Sequence, residues 1–356
     1  MNDRTNSFNA PQSRIIGGVF SFEKTIQTQK RTTVLNEWSK SAAAVDLFHN
    51  ARSALRHILT DLKISRLWLP AYSCKELEQA SDKLPLDVQY FPLDITLTPN
   101  TQWLKERLNP GDAVLAINYF GRPASIDWQT LVANSDKIIW IEDCAQSMDT
   151  GGTHFGDFRI YSPRKLLGVP DGGVLVDMKG QLCRPVFSSL PNNRYLKPYQ
   201  LRTEDPTGAN HGSWYKAFQK AEAEMSAGNY PMSGLSSDLL QQTGIRAIIK
   251  PRITNYNYLY QELSDLALFN APANNWAPLG FPIKLDHGTK ADDLSQHLAM
   301  HRIFAPRHWQ TLNSPANIFP LEHQLSKTLI TLPCDQRYDT TDMARTTQVI
   351  KDFLND

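Results

Sequence analysis

The chain is short of several features that would point elsewhere. Its 356 residues include only four cysteines, Cys74, Cys144, Cys183 and Cys334, widely spaced and with no CxxC pair. That argues against a disulfide framework and a cysteine zinc site, and free thiols suit a reducing compartment. No run approaches the ~20 apolar residues that a membrane helix needs. The opening MNDRTNSFNAPQSR lacks the apolar stretch of a signal peptide. An excess of one charge is missing too: Lys plus Arg number 37 against 36 for Asp plus Glu, a formal net charge of +1. So weak a field disfavours nucleic acid and anionic membranes as partners. The expectation is a soluble cytoplasmic protein.

Common catalytic signatures are also absent. There is no Gly-x-Ser-x-Gly elbow for a hydrolase triad. Gly151-Gly152 and Gly172-Gly173 complete neither a dinucleotide fingerprint nor a phosphate loop, which argues against an NAD enzyme. His301 and His308 lie too far apart for a helical metal pair, and no metal site is expected. His308, in Pro306-Arg307-His308-Trp309, reads as a packing residue or as one reaching a substrate from a smaller domain.

What is present suits an ordinary globular enzyme, with 41% hydrophobic and 21% charged residues. The length accommodates two packed domains. Ala54, Leu55, Ile58, Leu59 and Leu62 recur at helical spacing and predict a helix over 53–63. Short apolar runs at 66–70, 88–93, 113–120, 137–142 and 173–176 read as strands of a mostly parallel sheet buried on both faces. A Pro-, Asn- and Gly-rich stretch over 184–234 holds one predicted helix, 214–227. Further helices are predicted at 245–263, 292–300 and 341–354, and a strand at 280–285. We expect a flexible tail over 1–14, a large domain over 15–250 and a small one over 251–356.

Three segments carry candidate chemistry. Ile138-Ile-Trp-Ile-Glu-Asp143-Cys-Ala-Gln146 reads as a buried strand with polar residues at its carboxyl end, where open parallel sheets place ligands. Asp143 there is a functional carboxylate or simply a cap. Tyr161-Ser162-Pro-Arg164-Lys165 offers a lysine between strand-like pieces. His49-Asn50-Ala51-Arg52-Ser53 opens a helix, whose free N–H groups form either an anion site or an ordinary capped terminus.

Together these segments resemble the fold-type I enzymes that use pyridoxal 5'-phosphate (PLP), in particular the DegT/StrS-like sugar aminotransferases. Glu142-Asp-Cys-Ala-Gln146, Tyr161-Ser-Pro-Arg-Lys165 and Asn118-Tyr-Phe-Gly121 carry the likeness most strongly. Leu69-Pro-Ala-Tyr-Ser-Cys74 and Asn229-Tyr-Pro-Met-Ser233 support it. The resemblance implies an α/β, three-layer PLP-transferase fold, aspartate aminotransferase-like, with a smaller C-terminal α+β domain. It implies PLP as cofactor, held covalently by Lys165, which later shuttles the substrate proton. Asp143 would pair with the pyridine nitrogen and Gln146 would lie near the ring. Arg52, Ser53 and Ser162 would hold the phosphate. Asn229 would reach the partner subunit's cofactor in a homodimer.

The sequence departs from that pattern in places. Only two residues separate Ser162 from Lys165, so Arg164 is an alternative phosphate ligand. Cys74 stands where the family usually stacks an aromatic, leaving Cys74 or Tyr72 to cover the ring. Pro231 replaces a usual arginine. By the resemblance, an amino acid such as glutamate donates nitrogen to a nucleotide-linked keto-sugar. A dehydratase or lyase on the same fold, and a non-catalytic binding protein, are the rival readings. Relatives that dehydrate tend to lack the lysine.

Overall fold

The computed structural model describes residues 14–23, 32–148, 154–189 and 195–355. The tail expected over 1–14 thus lies almost wholly outside the described residues. Eleven strands are present among them: β1 Ile16–Gly17, β2 Ala44–Phe48, β3 Arg66–Pro70, β4 Asp87–Phe91, β5 Ala113–Ile117, β6 Ile139–Asp143, β7 Phe158–Tyr161, β8 Gly173–Asp177, β9 Phe281–Lys284, β10 Ile303–Phe304 and β11 Leu329–Leu332.

Seven of them form one sheet in the order β2-β8-β7-β6-β5-β3-β4. The run from β4 to β7 is parallel, and β8 alone lies antiparallel to both of its neighbours. Every residue of β5 and β8 is buried, as Ala-Val-Leu-Ala-Ile and Gly-Val-Leu-Val-Asp require of strands covered on both faces. This is an α/β architecture with a mostly parallel central sheet, as the resemblance implies.

The parallel order aligns three chain ends. β6 and β7 run the same way, so Asp143 at the tip of β6 and the loop after Tyr161 emerge along one edge of the sheet. β2 is reversed twice relative to β7, so the helix that follows it, Ala51–Asp61, starts at that edge as well. Gly173 makes the last approach possible. A Cβ there would lie 2.2 Å from the Asn50 carbonyl, so only glycine lets the helix start rest on β8.

The C-terminal part joins through the Ile245–Leu263 helix, which buries Ile248, Tyr256 and Leu259. β9 and β11 form an antiparallel pair, packed into the same hydrophobic core as β3 and β5. β1 pairs in parallel with β10, tying residues 16–17 to this C-terminal part. Among the described residues, no helix is long and apolar enough to cross a membrane.

Candidate active site

At the carboxyl edge of the sheet lies a cavity of about 430 Å3. Asp143, Lys165, Ser162, Arg164, Arg52 and Cys74 all line it. Residues spread over more than a hundred positions of sequence therefore meet at one place.

Asp143 is buried, and its Oδ1 accepts a 2.8 Å hydrogen bond from the Ala145 N–H. Burial pushes its carboxyl above the ordinary aspartate value, while the Lys165 charge and the Ala145 N–H pull the other way. A cationic ring nitrogen is the partner that would keep such a carboxylate ionised. Lys165 sits in the short turn Pro163–Lys165, its N–H donating to the Ser162 carbonyl at 3.1 Å. The residue is exposed at the cavity wall, and its amine makes no ion pair with an acid among the described residues.

Behind Asp143, Glu142 is completely buried. Its Oε1 accepts from Asn118 Nδ2 at 2.8 Å and pairs with His154 Nδ1 at 3.0 Å. Burial pushes this carboxyl up, but His154, Asn118 and Arg159 outweigh it and hold it below the usual range. The adjacent acids Glu142 and Asp143 are thus separated by environment: one is satisfied inside the protein, the other faces the cavity.

The anion pole is built at the start of the Ala51–Asp61 helix. Asn50 caps it, its Oδ1 accepting from Ser53 N at 2.9 Å. Arg52 lines the cavity, with Nη1 donating to Gln79 Oε1. Burial lowers its pKa, and the charge of nearby Arg164 adds to that. An anion set between these two cations relieves their repulsion. Arg164 forms a two-pronged ion pair with Glu222, which holds its pKa above the usual value despite burial.

Three expected residues are placed away from the cavity wall. Ser53 is buried, its hydroxyl donating to Asn50 Oδ1 at 2.9 Å and accepting from Gly228 N at 3.1 Å. It braces the cap. Gln146 is 2% exposed: its Oε1 accepts from Phe120 N at 2.6 Å, and its buried Nε2 has no hydrogen-bond partner among the described residues. An orphaned buried donor costs ~1–3 kcal/mol. Asn229 is exposed, and its carbonyl accepts from Ser188 N at 2.8 Å.

The open question of ring cover is narrowed by position. Cys74 lines the cavity; burial pushes its thiol up to about 11, so it remains a neutral, polarizable surface. Tyr72 is fully buried behind it, against Tyr119 and Trp309.

The C-terminal part supplies a wall that motif reading largely missed. His308, Trp309 and Thr331 line the cavity opposite the sheet edge. His308 Nδ1 and Thr331 Oγ1 are 2.9 Å apart, and burial, with the Lys165 charge, pushes the imidazole down to about 3. It is neutral at ordinary pH. Of the two readings open for His308, packing or reaching into the site, the structure favours the second.

The donor set lining the cavity fits PLP: an amine, an acid for the ring nitrogen and an arginine at a helix start for phosphate. Comparison with known proteins agrees. Residues 86–351 match the DegT/DnrJ/EryC1/StrS aminotransferase family. No curated protein matches the chain significantly. Among solved structures it is similar to the putative sugar aminotransferase Spr1654 of Streptococcus pneumoniae in its PMP form, with 12% identity, a TM-score of 0.69 and 97% and 99% of the two chains covered. It is also similar to DesV of S. venezuelae, at 17% identity, a TM-score of 0.66 and 89% and 87% coverage. The 3-amino-5-hydroxybenzoic acid synthase is a third, at 15% identity, a TM-score of 0.65 and 90% and 89% coverage. At such identities these likenesses establish the fold, while the match across most of the chain establishes the family. The chain belongs to the DegT/DnrJ/EryC1/StrS aminotransferase family, whose members are PLP-dependent enzymes.

Proposed function

We propose that the protein moves an amino group from an amino-acid donor such as glutamate to a keto-sugar, using Lys165 and Asp143 as its catalytic residues. The observation that carries this reading is the pairing of an exposed lysine amine and a buried carboxylate on one cavity at the sheet edge. Bound between them, PLP supplies an electron-withdrawing ring that acidifies the hydrogen on the carbon bearing the substrate nitrogen. Lys165 Nζ first holds the cofactor, then takes and returns that proton, a contribution of typically ~10²–10⁴ in rate. Asp143 stays ionised and keeps the ring nitrogen protonated. Arg52 and the free N–H groups of the Ala51–Asp61 helix hold the phosphate, with Ser162 and Arg164 beside them. Cys74, which lines the cavity, would cover the ring.

The acceptor is read as a keto-sugar because one solved relative, Spr1654, is described as a putative sugar aminotransferase. The family likeness adds a nucleotide carrier and surface-polysaccharide synthesis. Asn229, exposed and away from this chain's cavity, is read as reaching a partner subunit's site in a cytoplasmic homodimer. The reading is tested on the purified protein loaded with PLP. Glutamate should bleach the cofactor's visible band, and borohydride should fix the label on one peptide. A label on any lysine other than Lys165 overturns the assignment.

A further inference from the structure

Arg164 and Lys165 are neighbours in one short turn. Pro163 opens it and is buried, and the Leu166 and Leu167 N–H groups both donate to the Pro163 carbonyl, at 2.9 and 2.8 Å. With φ fixed at the proline, the base of the Arg164 side chain is set relative to the amine that does the chemistry. Arg164 lines the catalytic cavity and also an adjoining one of about 440 Å3, so it stands at the margin of the first. The far end of a substrate held at Lys165 arrives there, not its reacting carbon.

The partner of Arg164 is itself a carboxylate. Glu222, close to the end of the His211–Glu224 helix, accepts from both Nη1 and Nη2 of Arg164, the second at 3.1 Å. Burial pushes the Glu222 carboxyl up, but the charges of Arg164, Arg52 and Lys165 hold it below the usual range. A side-chain carboxylate thus already rests where three cations of the catalytic cavity converge, in the two-pronged geometry that a guanidinium offers to any carboxylate.

Glu222 also has somewhere to go. It is 35% exposed, against 12% for Arg164. It lines a third cavity, of about 560 Å3, whose walls include Arg56, Lys75 and Lys83. Rotation about its side-chain bonds carries the carboxylate from Arg164 toward these cations and water. Exchanging one carboxylate for another on the same guanidinium keeps the largely buried charge of Arg164 paired throughout.

We propose that Arg164 recognises the amino donor by binding its side-chain carboxylate, and that Glu222 is the resident counter-ion which an acidic donor displaces. The proposal rests on the aminotransferase reading. When the keto acid leaves, Glu222 returns to Arg164, and the uncharged sugar end of the acceptor does not meet a bare guanidinium. One cavity then serves two substrates of unlike charge.

The test follows single turnovers of the PLP-loaded, full-length protein with glutamate and with glutamine, and titrates PLP in parallel. The unaltered protein should convert glutamate at least about tenfold more efficiently than glutamine. Arg164→Gln should weaken glutamate binding by about 10–100-fold, leave glutamine within about threefold, and leave PLP affinity within about threefold. Arg164→Lys should recover part of the loss. Glu222→Gln removes the competitor and should tighten glutamate binding by about threefold or more, with glutamine unchanged. That opposite sign separates the proposal from a merely structural ion pair, whose loss from either side weakens both donors alike. Equal effects on the two donors, weaker glutamate binding in Glu222→Gln, or a greater loss of PLP than of glutamate in Arg164→Gln overturns the proposal; the last would make Arg164 a phosphate ligand. If neither amino acid converts the cofactor of the unaltered protein, the aminotransferase reading falls. If both do so equally well, donor recognition by Arg164 falls alone.

Discussion

The two sides of the catalytic cavity are made in different ways. The sheet edge, from Arg52 to Lys165, consists of residues delivered by strand ends and a helix start. The opposite wall, His308, Trp309 and Thr331, comes from more than 140 residues downstream of Lys165 and sits on the packing of β9 and β11 against the common core. On the proposed function, the cofactor chemistry falls to the first side and contact with the acceptor to the second. Substitutions should separate the two.

The largest effect is expected from Lys165→Ala. It should slow both half-reactions by ~10⁴-fold and abolish borohydride labelling, because holding and proton transfer are lost together. The side chain is exposed and carries no packing, so the melting temperature of the cofactor-free protein should stay within about 1 °C. Single-turnover absorbance with glutamate and a thermal melt check this. If only the acceptor half-reaction suffers, the division of labour is wrong.

Asp143→Asn comes next. The amide keeps the shape and the Ala145 hydrogen bond but not the charge opposite the ring nitrogen, so both half-reactions should fall by ~10²–10³. Stability should move the other way. Burial raises the folded pKa of Asp143 above its unfolded value, so ionisation works against folding. That penalty is absent below the unfolded pKa and grows as pH rises through the folded one. At pH 7 the cofactor-free Asn variant should therefore melt higher than the unaltered protein, and the gain should vanish on acidification. Equal melting curves at both pH values would remove the idea of a strained acid awaiting a cation.

How far each side was legible in the sequence follows from the same division. Strand ends announce themselves locally: β3 was expected over 66–70 and β6 within two residues of its limits, and the 245–263 helix has the predicted span. β2 went unread because Ala44-Val-Asp-Leu-Phe is a mostly half-buried edge strand whose short apolar run is broken by Asp46. Ser53 shows how one local signal covers two structures. A serine at a helix start suits a phosphate as well as a cap, and here Asn50 caps while Ser53 supports it. Nothing local marks His308 or Thr331 as neighbours of Lys165. Their meeting depends on tertiary packing, which periodicity does not encode.

His308→Asn tests the second wall. A neutral imidazole offers at most one or two ordinary hydrogen bonds, worth ~0.5–1.5 kcal/mol each, so the acceptor half-reaction should slow by ~2–10-fold while glutamate conversion barely changes. Because burial and Lys165 push this imidazole down to about 3, the pH profile of the acceptor step should stay parallel to that of the unaltered enzyme between about pH 5.5 and 8. A limb near pH 6.5 that disappears in the variant would make His308 a titrating acid or base instead.

The smallest effect is expected where the sequence leaves its family's pattern, at Cys74. Its thiol is pushed up to about 11 by burial, so near neutral pH it presents an uncharged sulfur to the cavity. Sulfur–aromatic contacts are worth ~0.3–1.5 kcal/mol, which sets the loss in cofactor affinity for Cys74→Ala at ~2–10-fold. Cys74→Phe would restore an aromatic cover and recover that affinity only if the wall behind it yields, since Tyr72 and Tyr119 already fill the space there. Equilibrium titration with PLP distinguishes the cases. Unchanged affinity in Cys74→Ala would mean that the ring is covered by another residue. A drop well beyond tenfold would mean that Cys74 also shapes the sheet edge, and the effect would then spread to both half-reactions.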